Sequence, residues 1–306
     1  MKGHHPTLGI ALILLMAGCF ATMDTSIKYL GAFVPVLLIM WGRYLTQTLV
    51  MTVWLLRSKT STFRAAHPKF QLLRGILLLL TSSASFYGVQ YLPVAEFTAI
   101  NMLTPVIVTL LAGWVLHERV SALRWALVCG GFAGALIVIR PGSGMFGWAV
   151  FLPLAGAVSY ASFQVLTSKL AALESPFTTH FYTGLTGTAV LTPLLLSSPI
   201  DIVGSLQAAT AGHLALMLGI GLLGTTGHLL LILALGLAPT STLMPFVYTQ
   251  IAFAAAISYA VLGHAPDQWG WVGMGVVAVC GAASAWLNVR KGAAPSSAVA
   301  ADTIAD

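Results

Sequence analysis

Asp24 and Lys28 interrupt one long apolar run of this chain, and Arg43 interrupts the next. A charged side chain at the centre of a lipid-embedded helix costs about 2.5–3.5 kcal/mol on insertion scales, so each such residue needs a partner, water or a task. One reading is binding chemistry, in which Arg43 or Lys28 attracts a carboxylate or phosphate while Asp24 holds an amine or exchanges a proton. The other is structural. Asp24, Lys28 and Arg43 would then neutralise one another between adjacent helices, which meets the same desolvation demand. Asp24 and Lys28 are one helical turn apart, and at ~1.5 Å of rise per residue Asp24 and Arg43 lie at similar depth, so the residues alone allow both readings.

Uncharged polar residues recur at helical spacing in other apolar runs. Ser83, Tyr87, Gln90 and Tyr91 form one stripe, Thr98, Asn101 and Pro105 a second, and Tyr160, Gln164 and Ser168 a third. Such stripes avoid lipid and are expected to point inward, either lining a wet cavity or hydrogen-bonding between helices. Pro245 precedes Tyr248 and Gln250 and frees a backbone carbonyl, as in the broken helices beside many transport sites. His228 is either a proton relay or a packed ring. Glu96 is expected to cap a helix start. The candidates for one central cavity are therefore Asp24, Lys28, Arg43, Tyr87, Gln90, Asn101, Tyr160, Gln164, His228, Tyr248 and Gln250. The eight histidines are scattered without metal-ligand spacing, and Cys19, Cys129 and Cys280 each lie within an apolar run. No metal, cofactor or catalytic constellation is expected from that pattern.

The elements that must position these residues follow from composition. Of the 306 residues 58% are hydrophobic and 7% charged, and the mean hydropathy is +0.91. A soluble domain carries roughly 25% charged residues. Runs of ~20 apolar residues suffice to cross the hydrocarbon core of a bilayer, and ten are expected. They are Leu8–Leu30, Val36–Leu56, Gln71–Tyr91, Val94–Leu116 and Leu123–Ile139, then Trp148–Leu170, Phe177–Leu196, His213–Gly236, Thr240–Leu262 and Gln268–Leu287. The expected class is an all-α integral membrane protein, in contact with membrane lipid over most of its surface.

The net charge of +6 is distributed as an orientation signal. Arg57, Lys59, Arg64, Lys69 and Arg74 surround the connection between spans two and three, Arg119 and Arg124 that between four and five, Lys169 ends span six, and Arg290 and Lys291 follow span ten. Only Lys28 and Arg140 fall on the other side, so the positive-inside rule places both termini in the cytoplasm, and the bacterial inner membrane is the expected location. No basic, aromatic-interleaved patch suggests a nucleic-acid partner.

The two halves share punctuation. An offset of 146 lays Pro93 on Pro239 and Trp125 on Trp271, and one of 141 lays Lys28 on Lys169 and Pro35 on Pro176. Five spans is an odd number, so the second half enters the bilayer inverted, an arrangement common in secondary transporters with a site at the repeat interface. Expected bounds are 1–142 and 143–291, with a disordered cytoplasmic tail at 292–306.

Leu73-Arg74-Gly75, Tyr91-Leu92-Pro93-Val94-Ala95-Glu96, the run from Ala99-Ile100-Asn101 to Thr104-Pro105, Glu118-Arg119 and Ile139-Arg140-Pro141-Gly142 together resemble the EamA branch of the drug/metabolite transporter superfamily. The resemblance covers nearly the whole chain. It implies a ten-helix carrier of two inverted five-helix repeats around a central cavity, with amino acids, nucleotides, vitamins and other metabolites as substrates. His264 stands where the pattern of the first half places Glu118. A secondary transporter of a small polar or zwitterionic metabolite, working by alternating access and not an enzyme, is the expected function. The alternative is an intramembrane lipid-modifying enzyme, which normally gathers His, Asp, Glu or Ser near an interface. Gly130 and Gly134, echoed by Gly281 and Ala285, have the small-xxx-small spacing of close helix packing, within one chain or across a homodimer.

Overall fold

The computed structural model describes residues 5–59, 62–92, 97, 101, 103–115, 120–139, 148–171, 173–262, 268–276, 279–280 and 283. The described residues form helices α1 (Pro6–Leu30), α2 (Val36–Arg57), α3 (Pro68–Tyr91), α4 (Thr104–Val115), α5 (Ala122–Ile139), α6 (Phe151–Leu170) and α7 (Pro176–Leu196). These are followed by α8 (Ile202–Ala208), α9 (Ala211–Leu237), α10 (Thr240–Val247) and α11 (Thr249–Leu262), and residues 268–276 are also helical. Glu96, Thr98, Glu118, Arg119, Arg140, His264, Gly281, Ala285, Arg290, Lys291 and the 292–306 tail lie outside the described residues.

Helix starts follow local chemistry. Proline opens α1, α3 and α7, where its missing N–H would have had no intrahelical partner. Thr210 caps α9 by accepting from His213 N–H at 3.2 Å. The expected ninth span is divided at Tyr248: Pro245 cannot donate within the helix, and Thr249 Oγ1 bonds the Phe246 carbonyl at 2.7 Å. Among the described residues, the helices Pro6–Leu30, Val36–Arg57, Pro68–Tyr91 and Ala211–Leu237, and the segment Thr242–Val261 taken across the Tyr248 break, are long and apolar enough to cross a membrane by length and composition. Their hydroxyls are satisfied locally, as in Thr22 to Gly18 O (2.9 Å) and Thr25 to Ala21 O (3.0 Å).

Packing couples the two halves reciprocally. Helix α1 packs on α9 as α6 packs on α3; α1 meets α11 as α6 meets α4; α2 meets α9 as α7 meets α3. Helices α2 and α7 face each other, as do α4 and α10. The offset of 146 also lays Gly75 on Gly221, and each admits a threonine from the opposite half. A Cβ on Gly75 would lie 2.5 Å from Thr186 Cβ, and one on Gly221 would lie 2.6 Å from Thr46 Cβ.

Chain ends sort onto two sides. On one side His5 N–H bonds Leu237 O at 3.1 Å, and the 58–67 connection meets the turn after α6 through His67 N–H to Glu174 Oε1 at 2.7 Å. On the other, Tyr91 lies edge-on to Trp148 with centroids 5.0 Å apart, and Phe33 stacks on His213 at 4.5 Å. Helices α1 and α3 therefore run one way, and α6 and α9 the other. The Gly130 and Gly134 stripe is occupied within the chain: a Cβ on Gly134 would lie 2.9 Å from Gly273 O, and one on Gly130 would lie 2.8 Å from Cys280 Sγ.

Candidate functional site

A narrow cavity of about 70 Å³ lies between α1, α2, α3, α4, α6, α9, α10 and α11. Asp24, Arg43, Asn101, Tyr160, His228 and Gln250 line it, together with Phe20, Leu78, Thr81, Ser82, Ser85, Phe86 and Thr104. Six sequence candidates thus converge from both halves of the chain.

Asp24 and Arg43 face this cavity without forming an ion pair. Asp24 Oδ2 accepts from Gln250 Nε2 at 3.3 Å. Arg43 donates from Nη1 to Ser82 Oγ at 3.3 Å and lies 4.4 Å over the Tyr44 ring, whose hydroxyl shares a 2.9 Å hydrogen bond with the same Ser82 oxygen. Its Nε and Nη2 are buried without a partner. Among the described residues the one ion pair is His67 with Glu174, outside this cavity. Asp24 and Arg43 are therefore not in direct contact. The guanidinium keeps free donors, and the carboxylate is held in place by a neutral amide.

Part of the wall is aromatic, with Phe163 packed behind it. The His228 ring lies 4.7 Å from Phe20, 6.2 Å from Tyr160 and 5.9 Å from Phe163, and Tyr160 stacks on Phe163 at 5.8 Å with an interplanar angle of 11°. The Tyr160 hydroxyl and His228 Nδ1 are buried without partners. Such a site can orient a solute by three chemistries at once: anion to Arg43, cation to Asp24, flat ring against the aromatic faces. Among the described residues no three His, Cys, Asp or Glu side chains converge as metal ligands would.

Five candidates lie elsewhere. Lys28 Nζ donates to the carbonyls of Val89 (2.9 Å) and Leu92 (3.4 Å), so it caps the C-terminal end of α3 and neither pairs with Asp24 nor faces the cavity. Tyr248 donates to Val128 O at 3.1 Å and packs between α5 and residues 268–276. Tyr87 is exposed, as suits an aromatic ring near a membrane interface, and Gln90 packs at Gly31. Gln164 is buried, but it does not line the cavity. Replacing Lys28 by Met removes two charge-assisted bonds, so stability is expected to fall by about 1–2 kcal/mol. Thermal unfolding checks that loss, and the KM for solute should stay within about twofold of wild type.

The face that α3 turns to the cavity is not the stripe expected from spacing. Leu78, Thr81, Ser82 and Ser85 have the same helical period as the Ser83, Tyr87, Gln90 and Tyr91 stripe, but lie on the opposite face of α3. Arg74 departs further from expectation. It is fully buried, not a flanking surface charge, and donates to Thr167 Oγ1 at 2.6 Å, to Thr179 O at 3.0 Å and to Thr183 Oγ1. Buried His180 also went unnoticed. Its Nε2 lies 2.9 Å from Thr225 O, and since a carbonyl only accepts, Nδ1 must accept from Gln47 Nε2 at 3.2 Å.

A model of the EamA-like transporter family matches residues 7–140 and again 147–285. The S-adenosylmethionine uptake transporter of Rickettsia bellii is 24% identical, over 86% of this chain and 88% of its own length. The riboflavin transporter of Rhizobium johnstonii is 27% identical, over 73% of this chain and 72% of its own. A crystal structure with 18% identity superposes with a TM-score of 0.73, covering 94% of this chain and 98% of the other, and so shares the fold.

Proposed function

The chain belongs to the EamA-like transporter family, and from that premise we propose that it carries a small zwitterionic metabolite across the bacterial inner membrane by alternating access. It is a multi-pass membrane protein that moves small metabolites. Ten spans in two inverted halves, 1–142 and 143–291, with both termini cytoplasmic, complete the proposal. The reciprocal packing of the halves and the opposite directions of α1 and α6 support inversion. Exchange of conformations between two such halves would open one central site to each side in turn.

One observation carries the substrate class. Opposite charges, Arg43 and Asp24, face one cavity without pairing, and Arg43 keeps two buried nitrogens without partners. A solute bearing a carboxylate or phosphate and an amine or other cation would complete both. The aromatic faces of Phe20, Phe86 and Tyr160 suit a flat ring, a feature common to the S-adenosylmethionine and riboflavin handled by the relatives.

The test is solute exchange in sealed proteoliposomes with labelled S-adenosylmethionine and labelled riboflavin. The expected result is faster exchange of the zwitterionic solute, recovered chemically unchanged. Exchange of riboflavin alone would overturn the substrate class, and conversion to a product without flux would overturn the carrier itself.

A further inference from the structure

Arg74 lies outside the cavity described above, and we propose that it is a second station for the anionic group of the transported solute, occupied when the chain opens toward the side of the 58–67 connection. The proposal rests on the carrier reading. In α3, residues 74, 78 and 82 follow one another at single-turn spacing on one face. Leu78 and Ser82 line the cavity, so Arg74 continues that stripe one turn nearer the start of the helix. Arg43 is bonded to Ser82, eight residues and about 12 Å along α3 from Arg74, a separation on the scale of a small metabolite.

The surroundings of Arg74 hold it without neutralising it. Its hydrogen-bonding partners are hydroxyls of Thr167 and Thr183 and the carbonyl of Thr179, its Nη2 is buried without a partner, and among the described residues no carboxylate lies within ion-pair distance. A guanidinium so placed is costly unless an anion reaches it in some state of the cycle. Both threonines also bond their own helix, Thr167 to Phe163 O at 2.6 Å and Thr183 to Thr179 O at 3.0 Å, so they stay satisfied when Arg74 turns to another acceptor. The Phe163 ring covers the guanidinium at 4.4 Å and belongs to the same stack as Tyr160 and His228. That aromatic wall separates the two arginines in this conformation. The second half has no equivalent: the offset of 146 lays Arg74 on Ile220, which is buried and apolar.

Inorganic phosphate, tested on the purified full chain in maltoside detergent free of phospholipid, reads the station without transport. Melting is followed against phosphate concentration, with chloride at equal ionic strength as reference. Wild type is expected to be stabilised by phosphate, and Arg74→Gln to raise the half-effective concentration at least fivefold. Arg74→Lys, which keeps the charge but loses the planar fork, should raise it about threefold, and it decides the matter if Arg74→Gln fails to fold. Arg43→Gln should weaken the response separately, and the double variant should abolish it. No phosphate response in wild type, or one unchanged by either Arg74 variant, would overturn the station. Competition by added phosphatidylglycerol would assign Arg74 to a lipid headgroup and overturn its role for solute. A chain that exchanges neither labelled solute yet shows the Arg74-dependent response would refute the proposed solutes and leave the station standing.

Discussion

Asp24→Asn and Arg43→Gln are each expected to reduce exchange of a zwitterionic solute at least 30-fold, and the double variant is expected to recover none of it. The reason is geometric. Asp24 is held by Gln250 and Arg43 by Ser82 and the Tyr44 ring, with no ion pair between them. Removing one partner of a desolvated charge-to-charge contact costs about 2–5 kcal/mol, which corresponds to at least a 30-fold loss. Asp24→Asn preserves size, so Gln250 keeps an acceptor at residue 24, and Arg43→Gln, whose amide ends short of Ser82, gives up one hydrogen bond without leaving a buried charge. Melting temperature should therefore change little while initial exchange rates collapse. Restored transport in the double variant would show that the two residues neutralise each other, and the site assignment would fail.

Gly75→Leu and Gly221→Leu are expected to produce the largest losses of stability, each lowering the melting temperature more than any polar substitution in the cavity wall. At both positions a Cβ would press on threonine carbons, 2.5 Å from Thr186 Cβ and 2.6 Å from Thr46 Cβ, and not on the free end of a flexible chain. Overpacking of this kind typically costs about 1–3 kcal/mol, and the backbone must shift to relieve it. Since α3 also supplies Ser82 and Ser85 to the cavity, separating α3 from α7 should raise KM as well. Coupling provides the control. Gly75→Ala combined with Thr186→Gly should regain most of the stability lost by Gly75→Ala alone, whereas simple additivity would show that the helices do not touch there.

Much of this was legible in the sequence, because the solvent imposes simple rules. Lipid offers no hydrogen bonds, so apolar runs must be helical, and their bounds fall close to expectation, as for Val36–Arg57 and Ala211–Leu237. Paired prolines and an odd number of spans implied related halves, and the family model matches the chain twice. Intramembrane charge singled out Asp24 and Arg43 as candidates for one cavity, because few charged residues lie deep in apolar runs.

What only the tertiary structure decided was which way each polar side chain points. A helical stripe read from spacing has no absolute phase, so spacing alone favours the Tyr87 and Gln90 face as readily as the Ser82 and Ser85 face opposite it. Lys28 looked like a partner for Asp24 because the two are one turn apart, but the unsatisfied carbonyls that it caps come from a helix more than sixty residues away. Arg74 read as a flanking surface charge because it stands near other basic residues, while its burial depends on Thr167, Thr179 and Thr183 arriving from the opposite half. Local periodicity determines that a segment crosses lipid. Whether a polar atom within it meets a helix end, a neighbouring hydroxyl or an open cavity depends on long-range packing, which the order of residues along one helix does not contain.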